Sequence, residues 1–91
     1  MKVRFFYAPP IFNTWSRLLV LSDDGMLYTS FLINLKLTDF NESVNFTKFN
    51  PSEYLFQGYQ PITEITRQQA LSAELTLQTN WVQEYLEKIG A

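Results

Sequence analysis

Carboxylates are the side chains best placed to do chemistry in this chain, because histidine and cysteine are both absent. Without histidine there is no commonplace general base, no Ser-His-Asp or Cys-His arrangement and no imidazole metal site. Without cysteine, thiolate catalysis, zinc fingers, iron–sulfur clusters and disulfides are excluded. Three isolated glycines make no phosphate-cradling loop. What remains is Asp23 beside Asp24, followed by Asp39, Glu42 and Glu53. An acid–base or magnesium site would need a third ligand and a cleft to hold it. Asp23-Asp24-Gly25 also lacks the downstream ligands and closing glutamate of a calcium loop. In a hairpin turn, by contrast, aspartate is favoured because it caps local amides. A carboxylate-dependent enzyme is therefore the least supported reading, and neither a metal nor a cofactor is expected.

The second chemistry on offer is stacking. Arg4, Arg17 and Trp15, with Tyr7 and Tyr28, would form an aromatic and guanidinium platform if they shared one sheet face. Seven Lys plus Arg stand against nine Asp plus Glu, with no basic run, and that balance argues against strong non-specific nucleic-acid binding. The Lys-Arg-Gly-aromatic pattern of sheet-based RNA readers is also missing. A single-strand nucleic-acid binder using Arg4, Arg17 and Trp15 stands as the alternative reading.

These residues must be held by strands. Lys2–Tyr7 reads as a first strand, rich in β-branched and aromatic residues and ended by Pro9-Pro10. A loop through Ile11, Phe12 and Asn13 leads to a second strand over Trp15–Ser22, and Met26–Ile33 is the third. Asp23-Asp24-Gly25 between them suits a three-residue hairpin loop with Gly25 left-handed. That loop pairs Leu21 with Leu27, Leu19 with Thr29 and Arg17 with Phe31. One face then carries Trp15, Leu19, Leu21, Leu27, Phe31 and Ile33 and reads as the core.

The opposite face carries Leu18, Val20, Tyr28 and Leu32 among serines, with no charge. A water-facing sheet normally alternates to charged or strongly polar residues, so this face is expected to be covered by residues 34–60 or to meet a partner, the partner being the leading reading. The middle segment is less regular. Leu35 and Leu37 alternate with polar residues, so the third strand is expected to run on through a bend or bulge. Val44–Thr47 is expected as a fourth strand, and Tyr54-Leu55-Phe56 as a short edge strand or a plug.

The helix announces itself. Thr66 and Gln69 fit a capping box, with Ile65 as one half of a hydrophobic staple. Ala70, Leu71, Leu75, Trp81, Val82, Tyr85, Leu86 and Ile89 make one apolar stripe at helical spacing, better suited to core than to ligand. Gln78 interrupts the stripe, Thr79-Asn80 could break the helix into two, and Gly90 is a natural stop.

The expectation is one α+β domain over residues 1–91. In it an antiparallel β-meander of about four strands packs on one C-terminal helix. Eight Phe, five Tyr and two Trp in 91 residues also suit a contact surface. The segment before Ile11 is interrupted by Lys2, Arg4 and Pro9-Pro10, and no stretch nears the ~20 apolar residues that span a bilayer, so a cytoplasmic location without membrane contact is expected. The reading is a non-catalytic protein-interaction or self-associating module, of accessory or inhibitor type, whose partner is another protein or a second copy in a homodimer. Its expected contacts are Leu18, Val20, Tyr28, Leu32, Tyr54 and Phe56.

Overall fold

The computed structural model of the chain describes residues 2–12, 15–30, 37–76 and 80–90. Its strands are β1 (Val3–Ala8), β2 (Arg17–Ser22), β3 (Met26–Ser30), β4 (Leu37–Ser43), β5 (Leu55–Phe56), β6 (Gln60–Pro61) and β7 (Thr63–Ile65). Two helices follow, α1 (Arg67–Thr76) and α2 (Trp81–Ile89). The main sheet is antiparallel with strand order β4-β3-β2-β1-β7, and β5 and β6 form a separate small hairpin. The α+β meander with a helical C-terminus is thus the architecture.

Local signals set much of it. Leu21 opposes Leu27 and Leu19 opposes Thr29, as the three-residue loop requires. The Gly25 amide donates to Ser22 O at 2.9 Å, and Gly25 stands at φ +91. A side chain there would be strained, and its Cβ would lie 2.7 Å from Val44 O. Asp24 completes the turn by accepting from the Ser22 hydroxyl and, at 3.0 Å, from the Met26 amide. At the start of α1 the capping box is complete. The Thr66 amide donates to Gln69 Oε1 at 2.9 Å, and the Gln69 amide donates to Thr66 Oγ1 at 3.1 Å.

Other expectations are corrected. The helical region is two helices, not one, and Asn80 precedes the second. The third strand does not run on through Leu37. Leu37–Ser43 returns antiparallel to β3, with Ser30 opposite Leu37. A register irregularity lies elsewhere, in the β3–β4 pairing, where Leu27 opposes Glu42 but Tyr28 already opposes Asp39. Val44–Thr47 is not the fourth strand but the start of an irregular cover. Phe31, Leu32, Ile33, Asn34 and Leu35 lie outside the described residues.

The largest correction concerns the covers. The helices pack on the face with Phe5, Leu18 and Val20, where Ala70, Trp81, Val82, Tyr85 and Leu86 are buried against them. The face expected to take the helix, with Phe6, Leu19, Leu21 and Leu27, is covered instead by residues 44–62, through Val44, Phe46, Phe49, Tyr54, Phe56 and Ile62. Geometry and chemistry both favour this assignment. Ile65 opposes Phe5 and packs with its cluster, so the chain enters α1 on that side. The other face carries Arg4, whose guanidinium needs acceptors. The middle of a helix has no free carbonyls to give, whereas an irregular segment does. Arg4 Nη1 accordingly donates to Phe46 O at 2.7 Å and Phe49 O at 3.1 Å.

Candidate functional site

Because β1, β2 and β3 are covered on both faces, the exposed large apolar side chains among the described residues lie elsewhere. β1 stops at Ala8 because Pro9 and Pro10 have no amide to donate to a ladder. The chain then loops out through Ile11 and Phe12 and returns past Trp15 and Ser16 into β2. Beside this loop stands the β5–β6 hairpin. Its turn closes through the Tyr59 amide donating to Phe56 O at 3.2 Å, with Gln57 at φ +55 and Gly58 at φ +84. Two positive φ values in succession match the right-handed twist of a tight hairpin. Alternation along β5 sends Phe56 into the core and leaves Leu55 outside.

One side chain fastens the two loops together. Gln60 is 1 % exposed, and its Nε2 donates to Pro9 O at 2.8 Å and to Trp15 O at 3.0 Å, with Ala8 O at 3.5 Å. The amide spans the open end of the β1–β2 loop and ties it to the hairpin. Arg17 lies 5.8 Å from the centre of the Phe56 ring just inside this end. The loop and the hairpin that it joins carry the large apolar residues that stay exposed among the described residues: Phe12 at 99 %, Trp15 at 66 %, Leu55 at 50 % and Tyr59 at 48 %. Pro9, Pro10 and Pro61 are exposed beside them. Residues 9–16 and 54–61 contain no Asp, Glu, Lys or Arg.

Phe12 is the least expected residue in this set. Its φ of +51 is left-handed. Relative to glycine or asparagine, that conformation costs a bulky L-residue on the order of 1 kcal/mol. Its ring gains nothing from the core in return. Neither backbone preference nor burial accounts for phenylalanine at this position.

The sequence-derived contacts fare differently. Leu18 and Val20 are buried under the helices and Phe56 under the irregular cover, so none of the three is an external contact. The sequence pattern leaves Leu18 and Val20 open only if neither a helix nor residues 34–60 reach that face, and the helices do. Tyr28 is partly buried, its ring centre 5.0 Å from that of Tyr85, and Tyr54 is partly buried 5.3 Å from Phe49. Burial raises the pKa of Tyr85, while its hydrogen bond with Ser22 opposes that rise. Leu32 lies outside the described residues.

Nor do Arg4, Arg17 and Trp15 form one platform. Arg4 opposes Leu21 at one end of the β1–β2 pair and Arg17 opposes Ala8 at the other. Arg4 is also consumed internally. Its Nε and Nη2 grip Glu64 at 2.8 and 2.6 Å. Its guanidinium also lies over the Phe6, Phe46 and Phe49 rings, 5.4, 5.9 and 5.8 Å from their centres. The hydrogen-bonded pairing holds the Glu64 carboxyl below the usual carboxylate range.

Two grooves flank the sheet. One, of about 400 Å³, is lined by Lys2, Arg4, Glu64, Thr66 and Arg67. The other, of about 340 Å³, holds Asp23, Asp24, Asn45 and Thr47. In the second the acceptors are turned onto the chain itself. Asp23 Oδ2 accepts from the Lys2 amide at 3.1 Å, and Asn45 Oδ1 accepts from the Thr47 and Lys48 amides at 3.1 and 3.0 Å. The Ser22 hydroxyl, ahead of the Met26 amide, lowers the Asp24 pKa. Glu53 is exposed on the short 3-10 turn Pro51–Glu53, and Asp39 and Glu42 lie on β4. Among the described residues no three His, Cys, Asp or Glu side chains gather as a metal ion would require. No described helix is long and apolar enough to cross a membrane.

Sequence reasoning missed Phe12, Leu55 and Tyr59 as exposed contacts. The signal available was an apolar stretch, Ile11-Phe12 and Trp15, lodged in a loop between Pro9-Pro10 and a strand. Nothing in the sequence marks Gln60 as the bolt, since its partners Pro9 and Trp15 are 51 and 45 residues away. Comparison of the chain with protein-family models, with curated proteins and with solved structures finds no match.

Proposed function

We propose that this chain is a non-catalytic protein-interaction module, of accessory or inhibitor type, that makes contact through its loop end. The reading carries a cytoplasmic location as its working default. One observation supports it above the others. Four large apolar side chains stay exposed on two loops that a buried amide locks together, although the same fold buries both faces of its sheet. Aromatic anchors of this kind dominate contact energetics. Residues 9–16 and 54–61 hold no Asp, Glu, Lys or Arg, which favours an apolar protein surface over a charged small substrate as the occupant.

The test is a comparison of the wild-type chain with Phe12→Asn/Trp15→Ser, each immobilised and exposed to extract from cells that express the gene. The reading expects at least one identified protein, this chain included, to be retained by the wild type and lost by the variant. Identical retained sets from two equally folded baits would overturn it.

A further inference from the structure

We infer that the occupant of the loop end is a second copy of this chain, docked about a two-fold axis; this rests on the interaction reading above. Three properties of the surface point to a copy of itself.

The first is charge. Each molecule carries a net charge of −2, so two copies repel wherever ionised groups meet. Residues 9–16 and 54–61 contribute no charge, so two copies meeting through these residues bring no like charges together, with Arg17 set back over the Phe56 ring. The end is electrostatically matched to itself.

The second is composition. A two-fold contact must be self-complementary, because the same patch supplies both sides. This patch holds both halves of a familiar pairing. Pro9, Pro10 and Pro61 present exposed pyrrolidine rings, and Phe12, Trp15 and Tyr59 present exposed aromatic faces. Proline rings seated on aromatic side chains are the basis of proline-rich recognition. A two-fold rotation places the prolines of one copy against the rings of the other.

The third is area. Taking about 200 Å² for a fully exposed ring, the four apolar side chains present roughly 500 Å² per copy. Two copies bury about 1,000 Å² from these residues alone, and the flanking prolines bring the total to about 1,200 Å². That is the low end of the range for specific association, with a Kd on the order of micromolar.

The test uses the native chain and its two tryptophans. Trp15 is exposed at the loop end, whereas Trp81 is buried under the sheet, so only Trp15 reports on the contact. Sedimentation across about 1–500 µM, bracketing the expected Kd, should show the mass rising from 10.7 kDa to twice that value. Over the same range, Trp emission should shift to the blue and iodide quenching should fall. Phe12→Asn and, separately, Trp15→Ser should remain folded by circular dichroism and weaken dimerisation at least tenfold.

A wild type that stays monomeric throughout, with Trp15 freely quenched, overturns the second copy as occupant. The interaction reading survives that result if the Asn/Ser double variant still loses a different retained protein. A dimer equally stable in both single variants overturns the inference and removes the loop end from the interaction reading as well.

Discussion

The two faces of the sheet are nearly equal in apolar content yet are roofed by different kinds of structure. Over Phe5, Leu18 and Val20 lie two helices, and over Phe6, Leu19, Leu21 and Leu27 lies an irregular segment. The difference is in the polar groups each face must satisfy. The second face carries the Arg4 guanidinium, and only a cover with free carbonyls supplies Phe46 O and Phe49 O to it. Thr29, buried on that same face, turns its hydroxyl to Leu18 O at 2.9 Å. The helical face has a different need. Helix α2 begins in the interior, where its first amides lack intrahelical partners. Asn80 makes no side-chain cap, turning its amide to Glu84 Oε1 instead. Buried Glu74 of α1 supplies the cap. It accepts from the Val82 amide at 2.6 Å and from the Gln83 amide at 3.3 Å. Each roof is fixed by one charged side chain reaching across from another element.

This comparison is broken most sharply in the cores. Leu18 under the helices and Leu21 under the irregular cover are both buried. Leu18→Ala and Leu21→Ala should each lower unfolding stability by about 2–5 kcal/mol, read from urea midpoints. A cost below ~0.5 kcal/mol, the size of an ordinary surface substitution, for either would mean that its roof is not docked.

Arg4→Met separates the roofs. It should cost on the order of 1 kcal/mol, less than the loss of a fully buried ionic network. The reason is that Glu64 keeps 41 % of its side chain in solvent. Amide exchange should accelerate in residues 44–49 while the amides of α1 and α2 keep their protection. Glu74→Ala reverses the pattern at a comparable cost of about 1 kcal/mol, loosening the first turn of α2 and leaving residues 44–49 unchanged.

Acid sharpens the same contrast. The folded pKa of Glu64 is depressed, so its contribution is present in full above the ordinary carboxylate pKa. It disappears as pH falls from there through the lower folded value. Urea midpoints taken from neutral pH downwards should decline over that window in the wild type. The decline should be smaller in Glu64→Gln, with Asp24 responsible for part of what remains.

The smallest effect is expected at the loop end. Phe12→Asn removes an exposed ring and suits the left-handed backbone. Monomer stability should therefore be unchanged or rise by up to about 1 kcal/mol.

The features legible in the sequence were those settled within a few residues. The Asp23-Asp24-Gly25 loop fixed the pairing of Leu19 with Thr29, and Thr66 with Gln69 marked the helix start. Thr79-Asn80 marked one place where the helix could divide, and Asn80 does precede α2. What escaped depended on contacts distant in sequence. Alternation along β2 separates Leu18 and Val20 from Leu19 and Leu21, but it does not say which set the helices will cover. That choice turns on Arg4 needing carbonyls 42 and 45 residues away. Gln60 and Glu74 read as ordinary polar residues until the fold places backbone partners around them. The loop end was overlooked for a related reason. A single helix leaves one sheet face short of cover in the sequence pattern, whereas the helices bury the Leu18 and Val20 face and residues 44–62 bury the other.

The central claim is that Val20 and Leu21 lie roofed on opposite faces of the sheet while Phe12 at the loop end stays open to solvent. Because the sequence contains no cysteine, single-cysteine variants report on this without background. Val20→Cys, Leu21→Cys and Phe12→Cys would each be labelled with a thiol reagent at micromolar protein. The account predicts that the first two react roughly a thousandfold more slowly than an unfolded control, while Phe12→Cys reacts at the control rate. Equal, rapid labelling of Val20→Cys and Phe12→Cys would contradict it.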